Sequence, residues 1–168
     1  MRFPALVLAV TALLFLNANP VRAQRPDFAG TWVMDRAQSA SAGQAEAIGP
    51  VTLVIRVTPS ELIVERTQST NKRTIHYRAD GGDTQSTLEM GSATGRLRWD
   101  GPRLITETVY DVQGIPINVK ATHSLSSDGR ELTVQSELFV VHGYQGQHDS
   151  APNTNPNYSS GTDVYIRK

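Results

Sequence analysis

Cysteine is absent from the 168 residues. Neither a disulfide framework nor a thiol for lipid attachment is available, so a stable core must come from packing alone. Net charge is absent as well, with 16 Lys and Arg against 16 Asp and Glu. The basic stripe that phosphate backbones require is therefore missing, and nucleic acid is not an expected partner. Long apolar runs are scarce. The one near the start, Phe3 to Leu16, breaks at Asn17, Asn19 and Pro20, short of the roughly 20 residues of a membrane span. Also missing are a Ser-His-Asp order, a glycine-rich phosphate loop and a paired-carboxylate constellation. No catalytic apparatus is legible, and no cofactor is implied.

The short apolar run is preceded by Arg2 and followed by Val21-Arg22-Ala23, a small-x-small cleavage site. The combination reads as a secretion signal over residues 1–23, with a membrane anchor as the alternative. Cleavage removes Arg2 and Arg22 and no acid, leaving 14 basic against 16 acidic side chains, a formal charge of −2. The 145 residues from 24 to 168 have the size of one domain and can bury a real core. A periplasmic or secreted location is the expectation. Two local basic clusters, Lys72-Arg73 and Arg96 with Arg98, read as solvated strand positions.

From Gln24 onward the pattern is strands separated by turn chemistry. Between residues 51 and 68, Pro59-Ser60 supplies a two-residue turn that pairs Val57 with Leu62, Ile55 with Val64 and Leu53 with Arg66 on one mostly apolar face. Thr52, Arg56, Thr58, Glu61, Glu65 and Thr67 fall on the other face, as a half-solvated antiparallel ladder requires. A second hairpin turns at Asp128-Gly129, a dipeptide suited to the type I′ turn. It sets Leu125 opposite Leu132, His123 opposite Val134, Ala121 opposite Ser136, Val119 opposite Leu138 and Ile117 opposite Val140. On its other face Lys120 meets Glu137 and Thr122 meets Gln135. Strands at 72–78, 92–100, 103–110 and 163–168, with the opening strand after Gly30, bring the count to about nine. The fold class is all-β: a single up-and-down antiparallel barrel of about 8–10 strands, with a β-sandwich as the rival. The stretch from Ala37 to Ile48 is the one helix candidate, a short lid segment after strand one. Its Gly43 and serine-rich start make it a poor helix.

The opening Pro26-Asp27-Phe28-Ala29-Gly30-Thr31-Trp32 resembles the Gly-x-Trp start of the lipocalin and fatty-acid-binding (calycin) superfamily, and residues Asp163 to Lys168 resemble the closing strand of its fatty-acid-binding branch. Trp99-Asp100-Gly101 and Ser126-Ser127-Asp128-Gly129 resemble the small secreted bacterial lipocalin-like proteins, so the resemblance spans nearly all of residues 24–168. It implies that Trp32 packs against Arg167 by cation–π contact, with hydrogen bonds to an N-terminal 3₁₀ turn. The plainer reading is a core tryptophan after a strand-opening glycine. Alternation in the last strand points Val164 and Ile166 inward, so that Arg167 would have to curl over the rim. One departure stands out. The branch anchors a carboxylate with an Arg-x-Tyr pair, but Asp163 sits two residues before Tyr165, and capture by that route is not expected.

The resemblance implies a binding protein for a small hydrophobic or amphipathic molecule. Hairpin register lines the lumen with Ile55, Val64, Val119, Ala121, His123, Val134 and Leu138, with Tyr77 and Trp99 as aromatic neighbours. His123 reads either as a core imidazole bonded to Ser136 or Tyr77, or as a contact to the guest. Two rivals stay open: an isomerase- or lyase-type barrel enzyme using His123 or Tyr77 as acid–base, and a filled barrel acting through its surface or the polar loop at 142–160. In that loop His142, His148 and Asp149 match no tight metal template, and no metal is expected. Asn157-Tyr158-Ser159 spells a glycosylation sequon, read as chance. Oligomeric state is not legible. Intact mass of the exported protein should show a chain beginning at Gln24, free or cyclised to pyroglutamate; recovery solely as a full-length membrane-bound chain would sink the signal assignment.

Overall fold

The computed structural model describes residues 25–42, 50–140 and 158–168. Alternating sequence faces fold there into ten strands: β1 (Gly30–Met34), β2 (Val51–Val57), β3 (Glu61–Gln68), β4 (Asn71–Arg78), β5 (Thr84–Leu88), β6 (Gly91–Asp100), β7 (Arg103–Val112), β8 (Ile115–Leu125), β9 (Glu131–Val140) and β10 (Tyr158–Arg167). They form one antiparallel sheet in the order β4-β3-β2-β1-β10-β9-β8-β7-β6-β5. β2 to β4 and β5 to β9 follow one another across short turns, β1 and β2 pair across residues 35–50, β9 and β10 pair across residues 141–157, and β10 returns beside β1. The result is a nearly closed up-and-down barrel with no helix among the described residues.

Both expected hairpin registers are present, from Val57 opposite Leu62 to Ile117 opposite Val140. Each places apolar side chains inside and polar ones outside. The alternation is not strict: Arg66 faces inward opposite Leu53, Val54 and Ile63 share the outer face with Glu65 and Arg56, and Val57, at the turn where the wall ends, is 54% exposed. On the outer face Glu65 lies between Lys72 at 2.9 Å and Arg56 at 3.6 Å, and Lys120 meets Glu137 at 3.0 Å.

Turn chemistry corrects one expectation. At Asp128-Gly129 only the glycine has positive φ (68°), and the loop is wider: Gly129 N donates to Ser126 O, while Asp128 Oδ1 accepts from Ser126 Oγ and Arg130 N. The acidic side chain satisfies the loop's own donors, so the aspartate does not have to enter the left-handed region. The doubly left-handed turn occurs instead at Gln113-Gly114, with φ of 55° and 82°.

A tenth strand, β5, joins the nine expected. Its sequence Thr-Gln-Ser-Thr-Leu carries one apolar residue and no legible alternation, yet it pairs with β6 from Thr84 opposite Gly95 to Leu88 opposite Gly91. Between β5 and β4 there is no backbone ladder. His76 N donates to the buried Ser86 Oγ at 3.0 Å, and the Tyr77 ring lies across Gly95, where an added Cβ would come within 2.8 Å of the ring. The Tyr77 hydroxyl hydrogen-bonds Thr108 Oγ1 at 2.8 Å, so side chains seal this seam.

The last strand begins at Tyr158, five residues before the expected start, and so takes residues 158–160 out of the predicted loop. Its parity is the reverse of the expectation. Ile166 is 42% exposed, whereas Tyr165 is buried and Arg167 faces inward, so no curl over the rim is needed. Residues 35–42 form turns and one bridge, Ala40 to Thr162, with Ser39 Oγ accepting from Val164 N. The rest of the lid candidate, 43–48, lies outside the described residues.

Trp32 is fully buried, and the Arg167 guanidinium carbon stands 4.4 Å from its ring centroid. Arg167 Nη2 donates to Asp27 O at 2.8 Å, and Trp32 Nε1 donates to Phe28 O at 3.0 Å. The N-terminal segment is therefore held as expected, but through an Asx turn in which Asp27 Oδ1 accepts from Ala29 N, not a 3₁₀ turn. Trp32→Ala should destabilise by about 3–5 kcal/mol and Arg167→Ala by about 0.5–2 kcal/mol. Denaturant melts of both and of the double variant should show coupling; strict additivity would mean the stack contributes nothing.

Candidate functional site

The interior has two unlike ends. At the floor, Phe28 meets Trp99 at 5.9 Å and His123 edge-on at 6.5 Å, above the Trp32 and Arg167 stack. Arg25 covers the other side of Trp99 at 4.8 Å. Sequence reasoning did not place Phe28 in this stopper, although it sits four residues before Trp32 inside the quoted motif. Between this stopper and the β2–β3 turn lies a recess of about 290 Å³ lined by Phe28, Leu62, Leu97, Trp99 and Leu104. A second recess of about 460 Å³, outside the wall, is lined by Arg96, Arg98 and Glu107 together with Trp99.

All nine sequence-derived lumen residues fall on the inner face by register. Ile55, Tyr77, Ala121, His123 and Val134 are buried, while Val64, Trp99, Val119 and Leu138 keep partial exposure. Of the nine, Trp99 lines the two recesses. The partly exposed inner residues of β8 and β9, which also include Ile117 and Val140, lie toward the ends of those strands away from the floor. Among the described residues these inner side chains keep access to water, which makes this the open end.

His123 bonds neither Ser136 nor Tyr77. Its Nδ1 lies 3.2 Å from Leu104 O, a carbonyl that can only accept, so this nitrogen carries the proton. Burial outweighs the Leu104 and Ala121 carbonyls and pushes its pKa down to about 4. Tyr77, committed to Thr108, has its hydroxyl pKa raised by burial. The two rival acid–base candidates thus hold separate partners and do not pair with each other.

The open end carries what sequence reasoning took for solvated surface. Arg73 faces inward directly opposite Arg66, and its guanidinium stacks on Tyr110 at 5.2 Å. Arg66 Nη1 donates to Gln68 Oε1 at 2.7 Å, and burial with the neighbouring Arg73 charge lowers its pKa. From the facing wall Tyr165 reaches Arg66; burial and Asp163 raise the phenol's pKa. Asp163 accepts from Ser41 Oγ at 2.5 Å. The available signal was Arg66 itself, the charged member of an otherwise apolar hairpin face. His142, His148 and Asp149 lie outside the described residues.

Strand number, order and near-closure define a ten-stranded, nearly closed up-and-down antiparallel barrel. No family model and no curated protein matches the chain. Solved structures do. A secretory abundant heat soluble (SAHS) protein from Ramazzottius varieornatus superposes with a TM-score of 0.57 at 9% identity, over 87% of this chain and 98% of that one. Apo lipid binding protein 8 from Caenorhabditis elegans gives 0.55 at 10% identity over 84% and 95%. The REP1-NXSQ fatty acid transporter gives 0.51 at 12% over 83% and 95%. At such identities the likeness is one of fold.

Acidification should probe His123 without any ligand. Its folded pKa of about 4 lies below the unfolded value of about 6.5, so between these values the unfolded chain binds more protons and stability falls as pH falls. The contribution is whole above pH 6.5 and is lost toward pH 4, a swing of about 3 kcal/mol. Urea midpoints for wild type and His123→Gln, compared at pH 7 and 4.5, should show a shallower loss in the variant; parallel losses would disprove the assignment.

Proposed function

We propose that the protein is an exported carrier that holds a small hydrophobic or amphipathic molecule in its barrel. The observation that carries this reading is the row of inward apolar side chains on β8 and β9, Ile117, Val119, Leu138 and Val140, left partly exposed inside a wall whose other end is stoppered. A filled barrel would cover them, since exposed apolar surface costs about 25 cal/mol per Å². The shared fold with proteins named as a fatty acid transporter and a lipid binding protein supports the same reading. The signal-like residues 1–23 support export to the periplasm or beyond.

Nile red fluorescence tests the guest's place. Val119→Trp should lower dye affinity at least tenfold while costing under about 1–2 kcal/mol, because the side chain has open space to enter. Val57→Trp, which fills the recess at the stoppered end, should leave binding intact. The reverse pattern would put the guest in that recess, and no dye binding by wild type would favour a barrel that acts through its surface.

A further inference from the structure

Resting on that carrier reading, we propose that Arg66 and Arg73 form an anion clamp that holds the carboxylate of an amphipathic guest at the open end, its tail pointing toward the floor. The two arginines are direct register partners on adjacent strands and both point inward. Residues so opposed have Cβ atoms about 4.5–5.5 Å apart, and like charges in that arrangement repel. On the outer face of the same hairpin the charges are neutralised, Arg56 and Lys72 both contacting Glu65. On the inner face they are not: among the described residues no carboxylate oxygen lies within 4.0 Å of either guanidinium.

What surrounds the pair suits an anion. Arg66 spends donors on neutral partners, the Gln68 amide and the Tyr165 hydroxyl, and Arg73 rests its flat face on Tyr110; neither guanidinium is committed to a carboxylate. Guanidinium edges match carboxylates by bidentate hydrogen bonding. Tyr165 adds a hydroxyl beside Arg66. Asp163, on the facing strand and tied to Ser41, is the nearby acid; two arginines and one aspartate leave one positive charge in excess, the complement of one monoanion. Leu53, the other register neighbour of Arg66, begins the apolar surface that continues through Val64 and Ile75.

The clamp differs in origin from a last-strand anchor, since its charges come from β3 and β4 and the last strand contributes an acid. The test is a titration with 11-(dansylamino)undecanoic acid and with its methyl ester. Wild type should bind the acid at least tenfold tighter than the ester. Arg73→Gln and Arg66→Gln should each cut that preference at least fivefold with ester affinity unchanged, Arg66→Lys should retain part of it, and Asp163→Asn should increase it. Thermal melts should show the Gln variants folded, as relief of like-charge repulsion predicts. Equal binding of acid and ester, or a preference that survives both Gln substitutions, would overturn the clamp and leave the carrier reading standing. If neither probe binds, the carrier reading fails and the clamp with it.

Discussion

Arg167 stacked on Trp32 joins the end of the described chain to its beginning, and the rest of the barrel is arranged around that junction. The stack positions β10 against β1, and β10 in turn carries β9 on its other edge. The carbonyls of Asp27 and Phe28, held by Arg167 and Trp32, fix the segment before β1 across the floor. Phe28 then reaches Trp99 and His123, and His123 reaches the Leu104 carbonyl, so contact runs without a break from β1 to β8, β6 and β7. A chain without cysteine thus gains from aromatic packing the crosslinking that a disulfide supplies in many small secreted domains.

From this floor the interior changes character upward. Leu104, Leu132, Ile55 and Trp32 are almost wholly inaccessible, whereas the same inward alternation farther along delivers Val119, Leu138, Arg66, Arg73 and Tyr110 to a wetter region. Both sets obey one geometric rule, period two along each strand. Among the described residues, the stopper closes one end alone. A guest lying along the axis would therefore meet apolar contacts below and hydrogen-bond donors above, an arrangement that selects orientation as well as polarity.

Much of this was legible in the sequence, for a physical reason. The β2–β3 and β8–β9 registers could be counted from the turns because tight turns leave little freedom in pairing and a slip of one residue would expose a whole face. Trp32 with Arg167 was legible through resemblance and then met in space. Strand β5 was not, since Ser86 is buried for the sake of a hydrogen bond to His76 N and not for apolarity. Parity in β10 was misjudged because Val164 is buried on the outer face beside the Ser39 turn, which the alternation of apolar residues cannot distinguish from lumen. Arg73 was misread for the complementary reason: a charge in a strand signals solvent, and at this end the inner face is itself partly exposed.

The seam between β4 and β5 gives the wall a mechanical direction. Parting any other pair of neighbours breaks a ladder of backbone hydrogen bonds, while parting these two breaks side-chain contacts: His76 N with Ser86, Tyr77 with Gly95 and Thr108, and Arg73 with Tyr110. The tube therefore behaves as a split ring. Its one line held by side chains alone lies opposite the Trp32 junction, across the ring from the floor's anchoring stack.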